Sequence, residues 1–272
     1  MLKDLGKSDW LSLLGLAAEQ VPTVLVVRGT RNLGAQYAAG RAHFSNVRDL
    51  GAPNGLIESV LIGELAGRSV GFACVYGAPM ASEVAHIFAV LGTRAIIQTG
   101  NCGALADDMA AGDLVVPTLA YCGEGAAQYY TPEAQEIAAS PELRSARSVA
   151  SLAGVRVHHG PIYTTAALLA EGEKEIDAWH QRGFIAVDME TATSFAVAAS
   201  FGMARVSLLY VFDNPRQKDH LLLTDPAKDE CRARGDSIAR DAAFALALEL
   251  SESPHAIPAS NDGLHAPSPA RR

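Results

Sequence analysis

The sequence predicts an α/β fold: a single domain on a mostly parallel central mixed sheet flanked by helices. Several runs are apolar and β-branched throughout, the pattern of strands buried on both faces. Segments of helical spacing separate those runs, as crossover connections between parallel strands require. No Pro-, Gly- or Ser-rich linker divides the 272 residues internally. Since domains hold ~100–200 residues, one large domain fits.

The elements follow in order. Residues 1–20, with Trp10-Leu11-Ser12-Leu13-Leu14-Gly15-Leu16, read as a short amphipathic helix. Thr23 to Val27 is a continuous apolar strand, ending in the two-glycine turn Arg28-Gly29-Thr30-Arg31-Asn32-Leu33-Gly34. Ser59–Leu65 and Ser69–Tyr76 form a hairpin turning at Ala66-Gly67-Arg68, and Met80–Leu91 is a helix. Ala95–Thr99 is the next buried strand, stopping at Gly100-Asn101-Cys102-Gly103. Asp113–Val116 is a short strand that Pro117 ends.

Alternation continues with a helix over Pro141–Ala153, a strand over Val155–Tyr163, a helix over Glu173–Gln181 and a strand over Ile185–Val187. An Ala-rich helix over Thr191–Phe201 precedes an almost wholly apolar strand, Arg205–Phe212. A long helix over Pro226–Leu250, slackened near Gly235, completes the domain at residues 1–252. Residues 253–272 carry Pro254, Pro258, Pro267 and Pro269 among small polar residues. That composition cannot offset its ordering entropy, and disorder is expected.

Composition narrows the function. The formal charge is −8, from 22 basic against 30 acidic side chains, which argues against a nucleic-acid partner. No run of ~18 apolar residues predicts a membrane span. The early Asp4, with no apolar core and cleavage site, argues against secretion. A cytoplasmic protein is expected. Cys74, Cys102, Cys122 and Cys231 form no CxxC pair and His158-His159 would point to opposite strand faces. No metal is expected from that spacing.

In an open α/β sheet, ligands collect beyond the carboxyl ends of the strands. Five segments stand there: Gly29-Thr30-Arg31-Asn32, Tyr76 to Met80, Thr99 to Gly103, Asp188-Met189-Glu190 and Phe212-Asp213-Asn214-Pro215. Singly each has an ordinary explanation. A strand-end glycine forms a turn, Asp188 or Glu190 caps a helix, and Asp213 before Asn214-Pro215 closes an Asx-type turn.

Together and in order, they resemble the nucleoside phosphorylase superfamily, which holds purine nucleoside and uridine phosphorylases and related nucleosidases. The resemblance runs from about Thr23 to Leu250. Val187-Asp188-Met189-Glu190-Thr191-Ala192 is similar to the family's V-E-M-E-x-A signature. Gly100-Asn101-Cys102-Gly103-Ala104, then Gly112-Asp113-Leu114-Val115, resembles its G-[ST]-C-G-[AG] loop and downstream G-D-[LV]-[VI]. Gly123-Glu124-Gly125 with Gln128-Tyr129-Tyr130 resembles a base-side loop, and Val211-Phe212-Asp213 the purine-type V-S-D segment.

The resemblance implies cleavage of the N-glycosidic bond of a nucleoside with a purine-type base. It makes Asp213 the catalytic acid at the base, Glu190 the ribose anchor and Met189 the residue packed on the sugar, beside Asp188. Gly29, Arg31, Gln98, Gly100 and Asn101 would surround the nucleophile, and Phe212, Tyr129 or Tyr130 would stack on the base. The chemistry suits these types. A purine leaves more easily once N7 is protonated, and a carboxylate on the ribose diol favours the oxocarbenium-like state. No cofactor is implied. The partners are a nucleoside and, with it, phosphate; a homo-oligomer is expected by resemblance.

The departures cluster where phosphate would bind. Gln98 stands where phosphorylases of the family usually have Arg, Asn101 where they have Ser or Thr, and Gly34 where the first turn carries Arg. Arg31 lies three residues earlier and replaces that arginine only if the turn is reshaped; Arg48 corresponds to one that some members lend across a subunit interface. A phosphate dianion needs charged, bidentate donors when drawn out of water. On sequence the balance leans to hydrolysis. Phosphorolysis at a rebuilt phosphate site and a catalytically silent nucleoside-binding protein are the alternatives.

Overall fold

A computed structural model of the chain describes residues 1–151 and 154–252. The expected tail, and Leu152 and Ala153 at the end of one predicted helix, lie outside the described residues.

The apolar runs become the strands of a mixed sheet. In order come α1 (Lys7–Leu14), β1 (Val24–Gly29), α2 (Leu33–Arg41), β2 (Ser45–Leu50), β3 (Val60–Leu65), β4 (Arg68–Val75) and α3 (Gly77–Leu91). Then follow β5 (Ala95–Ala104), β6 (Leu114–Gly123), β7 (Glu136–Ala138), α4 (Leu143–Ser151), β8 (Val157–Thr165) and α5 (Glu173–Gln181). The last are β9 (Ala186–Asp188), α6 (Thr191–Ser200), β10 (Ala204–Asp213) and α7 (Pro226–Glu252).

β1 pairs in parallel with β4 and β5, and β5 with β10. β10 meets β6 antiparallel, β6 and β8 run parallel, as do β8 and β9, and β9 returns antiparallel to β5. Those five strands thus close a ring, which removes exposed sheet edges there. β4, β3 and β2 extend from β1 as an antiparallel wing.

Alternate residues of β1 enter different cores. Val24 and Val26 pack with Phe72, Ile97, Val206 and the inner face of α7. Leu25 and Val27 pack with α1, α3 and the end of α6. Full burial of each such side chain contributes about 1.5–3 kcal/mol relative to exposure. The unbroken apolar run is what selects a strand covered on both faces.

The sequence predicts neither β2 nor β7, and three elements it does predict differ in extent or regularity. β5 does not stop at Gly100 but runs to Ala104, held in register by β10 up to the Asp213–Gly103 pair. Gly100 permits this because its φ is +148° and a Cβ there would strike the Gly29 carbonyl. β6 passes through Pro117 to Gly123, with a register shift between Pro117 and Leu119 that absorbs the missing N–H. α7 is continuous through Gly235, whose place is fixed by packing: a Cβ would lie 2.7 Å from the Gly112 Cα. No described helix is long and apolar enough to cross a membrane.

Candidate active site

The carboxyl ends of β1, β5, β9 and β10 open into one cavity of about 630 Å³. Gly29 and Arg31, Asn101, Asp188 to Glu190, and Phe212 with Asp213 all line it. The topology therefore brings together residues up to 184 positions apart in the chain, from Gly29 to Asp213.

Glu190, 5% exposed, is one of the lining residues. Its carboxylate accepts the Gly77 amide hydrogen at 2.8 Å, at the first turn of α3. A Cβ on Gly29 would overlap that carboxylate, so glycine is required for the approach of β1. Burial, then the neighbouring Asp188, raise the Glu190 pKa; Arg31 and the Gly77 amide work against them.

Arg31 leaves β1 in the loop before α2. Its guanidinium lies over the Tyr76 ring at 4.6 Å, with Nη2 3.9 Å from the Met189 sulfur. It forms no ion pair within 4 Å among the described residues. The loop itself is pinned by the Thr30 amide on the Val75 carbonyl at 2.9 Å, and the Asn32 amide meets the Thr30 hydroxyl at 3.2 Å.

Asp213 lines the same cavity, as do Phe212, Leu168, Ile176, Leu221 and Leu222. Burial first, then the charge of Asp219, push its pKa up to about 6; Arg232 and the Leu221 amide oppose them. Gly103 leaves room for it, since a Cβ there would lie 3.1 Å from the Asp213 Oδ1. Phe212 lines the cavity while its ring also lies 4.4 Å from the Arg232 guanidinium.

Other sequence candidates are placed differently. Asp188 reaches the cavity, but one oxygen accepts from the Thr164 hydroxyl at 2.7 Å and the other from the Thr191 amide at 2.8 Å. It holds the start of α6, so the capping explanation applies to Asp188 and not to Glu190. Gln98 is fully buried outside the lining; its amide accepts from Ser194 at 3.0 Å and donates to the Thr99 carbonyl at 3.1 Å. Gly100 likewise lies behind the lining, against Gly29.

Tyr129 is 83% exposed and does not line the cavity. Tyr130 turns to His86 at 3.3 Å, and the Glu124 carboxylate accepts the amides of its own loop at Ala126 and Ala127. The resemblance of that loop to a base-side element does not extend to its placement. Arg48 is held within the chain by the Leu14 and Gly15 carbonyls and Gln20.

Several lining residues escaped the sequence reading, among them Glu171, Leu168 and Leu222; Tyr76, read only as a strand end, is the platform under Arg31. Glu171 follows a short apolar turn after β8 and carries no motif around it. Only its place in the cavity lining marks it.

A family model described as the phosphorylase superfamily matches residues 36–247. A guanosine phosphorylase of Halorubrum lacusprofundi is 31% identical over 149 residues, covering 54% of this chain and 59% of that protein. A DeoD-type purine nucleoside phosphorylase of Colwellia psychrerythraea is 28% identical over 141 residues, covering 51% and 60%. The chain thus spans about six-tenths of the length of these relatives. A solved uridine phosphorylase from Vibrio fischeri shares the fold, with a TM-score of 0.74 at 20% identity over 86% of this chain and 94% of that one. With a family match over most of its length, the chain belongs to the phosphorylase superfamily.

Proposed function

We propose that the protein cleaves the N-glycosidic bond of a purine nucleoside by phosphorolysis, releasing the base and ribose 1-phosphate. The observation that carries this reading is the position of Arg31. An arginine with no ion pair among the described residues lines the same cavity as Glu190 and Met189. It supplies the charge that the sequence lacks at Gln98 and Gly34. Against the sequence expectation, which leans to hydrolysis, both this placement and the names of the relatives weigh towards phosphate as acceptor.

The reaction then runs within this cavity. Glu190 accepts hydrogen bonds from the ribose 2′ and 3′ hydroxyls, and Met189 packs on the sugar. Asp213 in its acid form gives its proton to N7 as the C1′–N9 bond breaks, and the bond's electron pair leaves with the base. A phosphate oxygen forms the new bond to C1′ on the opposite face of the ring. The sugar's positive charge is met by Glu190 and the incoming anion.

Hydrolysis is the second reading, since the neutral Asn101 lines the cavity where the family has Ser or Thr. A silent binding protein has less support, since Asp213 and Glu190 both face the cavity. As part of the same proposal the protein is a cytoplasmic homo-oligomer, which its mass in solution checks. The direct test is incubation with inosine, guanosine and adenosine, with and without phosphate. Ribose 1-phosphate formed only with phosphate supports phosphorolysis; free ribose in both conditions supports hydrolysis, and binding without base release overturns both.

A further inference from the structure

The Arg232 guanidinium is bonded to the peptide that precedes Asp213, yet its donors go elsewhere than to the Asp213 carboxyl. Nε donates to the Phe212 carbonyl at 2.7 Å, and the group lies over the Phe212 ring. Nη1 donates to the Asp229 carboxylate at 2.8 Å and to the Leu223 carbonyl at 3.4 Å, and Nη2 pairs with Asp219 at 3.5 Å. Asp219, 7% exposed, stands on the loop between β10 and α7, where its other oxygen pairs with Lys228 at 3.0 Å. Asp213 itself has no ion pair within 4 Å among the described residues.

Arg232 is the cation that acts on Asp213. The other ionisable groups around that carboxyl are Asp219, Glu171 beyond β8 and Cys102 of β5, none of them a source of positive charge. A carboxyl paired with an arginine is held in its ionised form, and an ionised Asp213 has no proton to give. Two acids occupy the outer nitrogens of Arg232 instead. Asp229 is more than half exposed and screened by water, whereas Asp219 is buried and screened little.

We propose that Asp219 is a positioning residue: it holds the Arg232 guanidinium on Phe212 and off Asp213, and so preserves Asp213 as an acid. This rests on the proton-donating role of Asp213 in the reading above and names what sustains that role. Asp219 touches no substrate atom; it acts through Arg232.

The test follows the Asp213 proton by carbon-13 NMR of the aspartate carboxyls, with Asp213→Asn identifying its signal, alongside the pH profile of kcat/KM on inosine. In Asp219→Asn the guanidinium turns to Asp213, and the titration midpoint of that carboxyl falls by about 1–3 pH units. At neutral pH kcat/KM falls with it, about tenfold for each pH unit. Asp219→Glu, which keeps the charge on Arg232, restores both. On an Arg232→Gln background, Asp219→Asn moves the midpoint little. Equal shifts on the two backgrounds, as a direct effect of the Asp219 charge would give, overturn the inference, and so does an unmoved midpoint. If Asp219→Asn does not fold, Asp229→Asn frees the same guanidinium at the surface and lowers the midpoint in the same direction; no shift there overturns the inference equally. NMR needs no turnover: the expected midpoints without base release from inosine contradict the enzymatic reading alone.

Discussion

The carboxylate of Glu190 accepts the Gly77 amide hydrogen at 2.8 Å, joining the start of α6 to the first turn of α3. A helix N-terminus favours negative charge, which offsets part of what burial and Asp188 take away. The same carboxylate is close enough to Gly29 that no side chain fits between them.

Gly29→Ala therefore displaces Glu190 from the sugar position. The expected result is a loss of about 100-fold in kcat/KM, the scale of a 1 Å misplacement of a positioning group. Steady-state kinetics check this, alongside circular dichroism showing an unchanged fold. An alanine variant with native kinetics would remove Glu190 from the ribose role.

Arg31→Ala should raise the KM for phosphate while changing nucleoside binding little. A lost hydrogen bond to a charged group is worth about 1.5–3 kcal/mol, or about 10–150-fold. Initial rates at varied phosphate measure it. Arg31→Lys should restore part of the loss, since it keeps the charge but not the planar fork.

The pH dependence follows from Asp213. Its pKa is raised by burial to about 6, so it is the acid below that value and a carboxylate above. The kcat/KM for purine nucleosides should fall as pH rises through about 6. Stability has the same sign: the native state holds this proton more tightly than the unfolded chain, whose value is 3.8. The contribution is full below 3.8 and lost as pH rises through about 6. Melting curves from pH 4 to 7 should show a decline that Asp213→Asn removes.

Gly235→Ala tests the packing of α7. On helix propensity alone alanine would gain about 1 kcal/mol. Here its Cβ would lie 2.7 Å from backbone at Gly112, so overpacking should dominate at a cost of about 1–3 kcal/mol. Chemical denaturation decides between the two signs.

The fold was legible because its strands are apolar on both faces, and β1 and β10 could be read from residue type alone. β2 could not, since Ser45-Asn46-Val47-Arg48-Asp49-Leu50 is a polar strand at the outer edge of the wing. Pro117 and Gly235 misled for one reason. Their local preferences are set aside by contacts with β8 and with Gly112, far away in sequence.

At the site, Asp213, Glu190 and Met189 were readable because strand ends carry their motif. Arg31 was ambiguous, as only the loop's path over Tyr76 shows where its guanidinium goes. Gln98 and Asn101 sit three residues apart on one strand and were read together, yet only Asn101 lines the cavity.

The most direct measurement concerns the proton that Asp213 is proposed to give to N7. Native protein and Asp213→Asn are compared on guanosine and on 7-methylguanosine, whose base already carries a positive charge and leaves without protonation. The variant should lose about 100-fold or more in kcat on guanosine, the typical scale of general-acid catalysis, and keep near-native turnover of the methylated nucleoside. Equal losses on both substrates would contradict general-acid catalysis by Asp213.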